Sequence, residues 1–198
     1  MLESASHFVI SRMINNGIIN EDERAIYAYN LQVIIESIVG HAILLIIATL
    51  CGHFLDIFVF LLSFDLLRRS TGGFHCKTNI GCITLSTLVC ILVIVVQRFI
   101  EPIILYYQGG VILSMIFIFL AGAVNHPNMC WTKDELSSAK KRTRLTISIF
   151  LILLIVLNFY EVESRYLYFF SMGTVQCSIS LGLALILKKG GNNNEIKT

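Results

Sequence analysis

The chain has 198 residues, of which 56% are hydrophobic and 14% charged, with a mean hydropathy of +0.76. A soluble domain usually holds about 45–50% apolar and about 25% charged residues, so lipid rather than water is the expected solvent for most of this chain. A formal charge of +2 is too small for a nucleic-acid-binding surface, and the length suits one domain with about five to seven spans of about 20 residues.

The first thirty residues mix Glu3, Arg12, Glu21, Asp22, Glu23 and Arg24 with isolated apolar positions. They lack the continuous apolar stretch and small-residue cleavage site of a secretory signal, so insertion is expected to rely on the first span. From His7 to Ile18, the apolar Phe8, Ile10, Met13, Ile14 and Ile18 alternate with polar residues. This is the pattern of an amphipathic helix that either lies in the membrane interface or packs on its own bundle. Asn20 followed by Glu23 reads as an N-cap with an acid at the third helical position, opening the helix that becomes the first span.

Six apolar runs follow: Leu31 to Cys51, Phe54 to Leu67, Asn79 to Gln97, Ile103 to Val124, Leu145 to Tyr160 and Tyr166 to Leu187. Glu36 and His41 interrupt the first, and Asp56 and Asp65 fall in the second. The second and fifth are shorter than a usual span and require local thinning, flanking residues or bundle contacts to cross. The expected fold is therefore all-α: a polytopic membrane helical bundle of about six transmembrane helices with an N-terminal amphipathic helix. It forms a single domain over residues 1–189, and residues 190–198, with Asn192, Asn193 and Asn194, read as a disordered tail.

Lysine and arginine set the orientation. With a cytoplasmic N-terminus, the inner segments hold Arg12, Arg24, Arg68, Arg69, Lys77, Lys133, Lys140, Lys141, Arg142, Arg144, Lys188, Lys189 and Lys197, and the outer loops hold only Arg98 and Arg165. Thirteen of the 15 basic residues then share one side, so span count and orientation support each other and both termini are expected in the cytoplasm. The six cysteines, Cys51, Cys76, Cys82, Cys90, Cys130 and Cys177, form no CxxC pair, and most read as small packing residues rather than a disulfide framework.

The connection between the second and third runs, Arg68-Arg69-Ser70-Thr71-Gly72-Gly73-Phe74-His75-Cys76-Lys77-Thr78-Asn79-Ile80-Gly81-Cys82, carries the candidate chemistry. Gly72 and Gly73 allow a tight turn or a close backbone approach, and their amides are candidate oxyanion donors. Thr78 or Asn79 is the expected N-cap of the next helix, which puts Cys82 in its first turn. On one continuous helix, His75 and Cys82 would be separated by roughly 10.5 Å of rise, too far for proton transfer at about 2.6–3.2 Å. If the chain before Thr78 is a loop, His75 can fold back over the helix start, where an imidazolium and the helix N-terminus together favour a thiolate. Basic residues here also have a purely topological explanation, and Cys76, adjacent to His75, points away from it.

Arg68, Gly73, His75 and Cys82 stand in the pattern R-x4-G-x-H-x6-C. This segment resembles the core of the accessory gene regulator B family, bacterial membrane cysteine endopeptidases that process quorum-sensing peptide precursors. Chain length, six hydrophobic runs and a basic connection between runs four and five share the resemblance. It implies His75 as general base and Cys82 as nucleophile, with Arg68 and Gly73 important but without a chemical step. The implied partner is a precursor peptide with a membrane-binding leader, a central cysteine-containing signal and an acidic C-terminal segment. No cofactor, metal or nucleic acid is expected; membrane lipid is, and a homodimer is left open.

Glu36 lies about five residues, or roughly 7.5 Å, into the first span and is a candidate to orient His75 as a third carboxylate, with Asp65 as its rival. Lys133, Lys140, Lys141, Arg142 and Arg144 are candidates to bind the acidic segment, although a positive-inside signal and lipid attraction also account for such a cluster. A non-covalent transporter or exporter, with Glu36, His41 and Asp65 along a polar pathway, and a membrane scaffold are the alternatives.

Overall fold

The structure, a computed structural model, describes residues 2–74, 79–100, 104–124 and 132–195. Among these it contains seven α-helices, one short 3-10 turn and no strand.

Helix α1 (Leu2–Asn15) closes at Gly17, whose φ of +68° lets the Ile18 amide reach back to the Met13 carbonyl at 2.9 Å. That left-handed closure satisfies carbonyls which the helix end leaves open. Ile10 is 1% exposed whereas Phe8 is 64% exposed. The amphipathic helix thus packs on its own bundle through one face and keeps an outward apolar face suited to the interface. Asn20 has extended backbone and its amide donates to Glu23 Oε2 at 3.1 Å, so the expected cap is present. The turn Glu21–Glu23 leads directly into α2 (Arg24–Leu50).

The remaining helices are α3 (Phe54–Thr71), α4 (Asn79–Ile100), α5 (Ile104–Ala121), α6 (Lys133–Phe159) and α7 (Ser164–Glu195). Both short apolar runs belong to longer helices. The second extends to Thr71, about 27 Å in length, close to the roughly 30 Å hydrocarbon thickness. The fifth is the distal part of a 27-residue helix whose proximal turns carry the basic cluster. Thr132 caps α6: its hydroxyl accepts from the Glu135 amide at 3.3 Å, and its own amide donates to Glu135 Oε2 at 2.8 Å. These bonds hold the Glu135 carboxyl below its ordinary range, so this cap is present at neutral pH and weakens as acid protonates the carboxylate. Helix α7 is described as far as Glu195.

Two clusters of buried side chains share α3 and α7. One joins Leu67 to Val111, Met115 and Ile118 of α5, to Ile147, Phe150 and Leu154 of α6, and to Phe170, Cys177 and Leu181 of α7. The other joins Ile57 and Phe60 to Leu44 and Ala48 of α2, to Cys90 and Val93 of α4, and to Tyr168 and Phe169 of α7. Helices α3 and α7 are therefore the central pair. They run parallel, because Asp56 meets Arg165 near their starts and Arg68 meets Ser180 near the opposite end. Between these points Gly173 lies against Ser63 and the Phe60 carbonyl of α3, and any Cβ there would overlap Ser63 Oγ. Small residues at such a crossing let two backbones approach closely where lipid provides no hydrophobic drive for association.

Around this centre the outer helices present apolar side chains outward. Leu50, Leu88, Leu113, Leu120, Ile152 and Ile186 are among many large exposed hydrophobics. Helices α6 and α7 are long and apolar enough to cross a membrane, and shorter apolar stretches occupy Ile34–Leu50, Gly81–Gln97 and Gln108–Ala121. The most apolar part of α6 is only 22% buried, which a soluble protein's core helix would not be. This is a helical membrane bundle.

Gly173→Ala is expected to destabilise the bundle by about 1–3 kcal/mol through overpacking. Gly182→Ala, whose Cβ would meet only Phe117 carbons 3.7 Å away, should be neutral. Thermal unfolding of both variants in detergent tests this, and equal melting temperatures would contradict a tight crossing at Gly173.

Candidate functional site

The motif segment is built onto the end of α3. Gly72 adopts φ +68° and Gly73 φ +140°, conformations that L side chains rarely take. The space is closed as well. A Cβ on Gly72 would lie 2.8 Å from the Val124 carbonyl oxygen, and one on Gly73 would overlap the Arg68 guanidinium and approach Ser180 Oγ to 2.9 Å. Arg68 folds back over this turn. Its Nη1 donates to the Gly72 carbonyl at 3.0 Å and to Ser180 Oγ at 2.5 Å, and its Nη2 donates to the Phe74 carbonyl. The Phe74 amide donates in turn to the Ser180 carbonyl at 3.1 Å. One guanidinium thus ties three successive parts of the structure together, using a planar fork that a lysine lacks.

A second strap holds the same end. The Val124 amide donates to the Thr71 carbonyl at 2.9 Å, and Thr71 Oγ1 lies 3.5 Å from Cys177 Sγ, with both residues fully buried. Gly122, at φ +69°, accommodates the stem of Lys140. The connection after α5 and the basic start of α6 therefore lie at the same end of the bundle as Arg68.

Cys82 is the fourth residue of α4, in its first turn, and half-buried. The Arg68 guanidinium is within electrostatic reach of the Cys82 and Cys177 thiols and of the Asp65 carboxylate. Gly40 of α2 faces Ile83 of α4, with a Cβ at Gly40 falling 3.9 Å from Ile83. Glu36 lies one turn before Gly40, about 6 Å along α2, and accepts from Gln32 Nε2 at 2.7 Å. Asp65 meets His41 Nε2 of α2 at 2.7 Å, while His41 Nδ1 bonds the Ser37 carbonyl at 2.6 Å. The Gly72 amide is engaged by the Arg68 carbonyl at 3.1 Å, and Gly72 and Gly73 act here by their backbone path. His75, Cys76, Lys77, Thr78 and Cys130 lie outside the described residues.

The basic candidates differ in setting. Lys133, Lys141, Arg142 and Arg144 are exposed and Lys140 is half-buried. Arg144 donates from Nε to the Phe119 carbonyl at 3.5 Å. Among the described residues no group of three or more His, Cys, Asp or Glu side chains is placed to hold a metal ion, and no disulfide links Cys51, Cys82, Cys90 and Cys177.

Sequence reasoning missed three features. Ser180 carries no motif signal, sitting in an apolar run. His41 was read beside Asp65 only as a pathway residue, not as its ion-pair partner. At the opposite end Asp56, 2% exposed, is held by His53 Nδ1 at 2.7 Å and by Arg165. A detectable signal existed for this last cluster: an aspartate at the start of one apolar run and an arginine just before another each need a partner in lipid.

Together these features define an all-helical membrane protein with a polar cluster at each end of its α3–α7 pair. The chain belongs to the accessory gene regulator B family, whose family model matches residues 6–181. That membership assigns it to the accessory gene regulator system of quorum sensing. Comparison with curated proteins and with solved structures returns no match.

Gly73→Ala forces a non-glycine residue to positive φ against Arg68 and should cost at least about 1–3 kcal/mol. Arg68→Lys should destabilise nearly as much despite keeping the charge, and Ser180→Ala by only about 1 kcal/mol. Unfolding in detergent measures all three; an Arg68→Lys protein as stable as the parent would remove the three-acceptor role.

Proposed function

We propose that the chain is a membrane-embedded cysteine endopeptidase that removes the C-terminal segment of a precursor peptide and lets the remainder cyclise. The observation that carries this reading is the placement of Cys82, in the first turn of α4 and within electrostatic reach of an arginine locked by its own motif.

In the proposed reaction the Cys82 sulfur attacks the carbonyl joining signal to C-terminal segment, as His75 takes the thiol proton. Collapse of the tetrahedral intermediate breaks the C–N bond, and the same proton goes to the departing amine. The product is an acyl-enzyme thioester. A cysteine within the precursor then attacks that thioester, forming a thiolactone and returning Cys82 as a thiol. The second step exchanges one thioester for another and costs little beyond ring ordering. The first is uphill and proceeds only as the released fragment departs. Water must be kept from the intermediate, which suits a half-buried nucleophile about 4.5 Å along its helix.

Arg68, Gly72 and Gly73 act in this scheme as positioning residues: they set the direction in which the chain leaves α3 toward His75. Glu36 is proposed to orient His75, because Asp65 already pairs with His41. The acidic segment of the precursor is proposed to dock on the α6 cluster of Lys133, Lys140, Lys141, Arg142 and Arg144. Six of the helices are proposed to cross the bacterial cell membrane, with both termini in the cytoplasm; the joint placement of Arg68 and the α6 cluster at one bundle end supports this.

Cys82→Ala should abolish release of the C-terminal fragment, whereas replacing Cys51, Cys90, Cys130, Cys76 and Cys177 together should leave substantial turnover. His75→Ala should also abolish it, and Glu36→Gln should slow it steeply in a folded protein. A precursor lacking its own cysteine should leave a hydroxylamine-labile adduct on Cys82, visible by mass. In the same assay, charge reversal at Lys141 and Arg142 should raise KM with little change in kcat. Release by the Cys82→Ala protein would reject the peptidase and favour transport along the His41–Asp65 pair.

For orientation, a single cysteine at the exposed Ser137, in a chain otherwise free of cysteine, should resist an impermeant thiol reagent applied to intact cells and react after permeabilisation. Rapid labelling from outside would invert the topology. Ser70 is unsuitable for this probe because it is 3% exposed.

A further inference from the structure

Helices α5 and α6 enclose a groove lined by Ile112, Met115, Ile116, Phe119 and Leu120 of α5 and by Leu151 of α6. Every lining side chain is apolar. From Ile112 to Phe119 it extends seven residues, about 10.5 Å along the helix, so it runs with the helices rather than into the core.

The end of the groove at Phe119 is marked by charge. The Arg144 guanidinium lies 5.7 Å from the Phe119 ring centroid, and its Nε donates to the Phe119 carbonyl. This contact holds the side chain through Nε, and among the described residues neither terminal nitrogen has a hydrogen-bond partner. Arg144 is exposed, and no carboxylate among the described residues pairs with it. Lys140, one turn earlier, lays its stem over Gly122. Lys133, Lys140, Arg144 and Leu151 follow at intervals of seven, four and seven residues, a spacing that keeps them on one face of the helix. That face changes from basic to apolar along α6, and the change falls where the groove begins.

We propose that this groove holds an acyl chain of an anionic phospholipid, with its phosphate bound between Arg144 and Lys140. The terminal nitrogens of Arg144 match a phosphate in a two-pronged geometry, and Leu151 lies about 10.5 Å further along α6, at the depth of the chain rather than the headgroup. A second copy of the protein would cover the apolar lining but would set an apolar surface against two uncompensated cations. The proposal shares Lys140 and Arg144 with the docking proposed for the acidic segment, but it does not rest on the chemistry of Cys82, because it concerns the outward surface of α5 and α6.

The test uses the full chain with Trp131→Phe as background, since Trp131 is its one tryptophan. A single tryptophan is introduced by Leu151→Trp, by Ile116→Trp as a second groove reporter, or by Leu88→Trp on α4 as an exposed control. Each protein is reconstituted in vesicles of phosphatidylcholine containing an equal fraction of phosphatidylglycerol, with only one of the two lipids brominated on its chains. At both groove positions, brominated phosphatidylglycerol should quench with about fivefold preference, the size expected of roughly 1 kcal/mol from a basic residue at the surface. The preference should fall to that of the Leu88→Trp control when Arg144→Gln and Lys140→Gln are added, and it should shrink at high salt. Equal quenching by the two lipids at the groove would overturn the proposal, as would a preference that survives both glutamine substitutions. Weak quenching by both lipids that rises when protein is diluted in lipid would assign the groove to a second copy, and likewise overturn it.

Discussion

The close approach of α3 and α7 at Gly173 is the constraint on which the rest of the bundle depends. In lipid, helices gain little by hiding apolar surface from each other, so association rests on packing and on polar contacts made across the interface. With no side chain at Gly173, the backbone of α7 lies against Ser63 and the Phe60 carbonyl. Four other helices then pack on this pair, with α5 and α6 on one side and α2 and α4 on the other, while α1 packs on α2.

Each end of that pair is closed by an arginine, and the two arginines act in opposite ways. Arg165 belongs to α7 and compensates a carboxylate, Asp56, that is buried in α3. Losing Arg165 would leave the buried Asp56 with His53 alone, and an unpaired buried charge typically costs about 3–5 kcal/mol. Arg68 belongs to α3 and, among the described residues, compensates no carboxylate at contact distance. Its partners are carbonyls and a hydroxyl of the turn it folds over. A charge satisfied by neutral acceptors keeps much of its outward field.

This arrangement gives the R-x4-G-x-H-x6-C pattern a physical meaning before any chemistry is considered. The spacing of Arg68 from Gly73 is the length needed for the guanidinium to fold over the helix end. Gly73 must be glycine twice over, for its φ and for the space the guanidinium occupies. The end of the protein that carries the motif is thus organised around the α3–α7 pair, while the proposed nucleophile comes from α4 and the proposed carboxylate from α2. A bundle of this kind can align groups from three helices only if the central pair is rigid.

By itself the sequence determined the solvent, the helical fold and the helix positions. Composition and the period of apolar residues are local properties, and lipid makes helices nearly obligatory. The capped start at Asn20, the first-turn position of Cys82 and the breaks near Gly52 and Gly72 were likewise legible, since caps and turns depend on a few neighbouring residues. The two short apolar runs were misleading in length because Ser70, Thr71 and the polar start of α6 continue their helices, satisfied by hydrogen bonds the sequence does not display. Which partner each charge found was decided only in the tertiary structure. Asp65 had Arg68 one turn away on its own helix yet contacts His41 across α2, and Arg68 found Ser180, 112 residues distant. Such pairings depend on which helix faces which and at what depth. Those are set by the Gly173 crossing, a property of two backbones rather than of any one stretch of sequence.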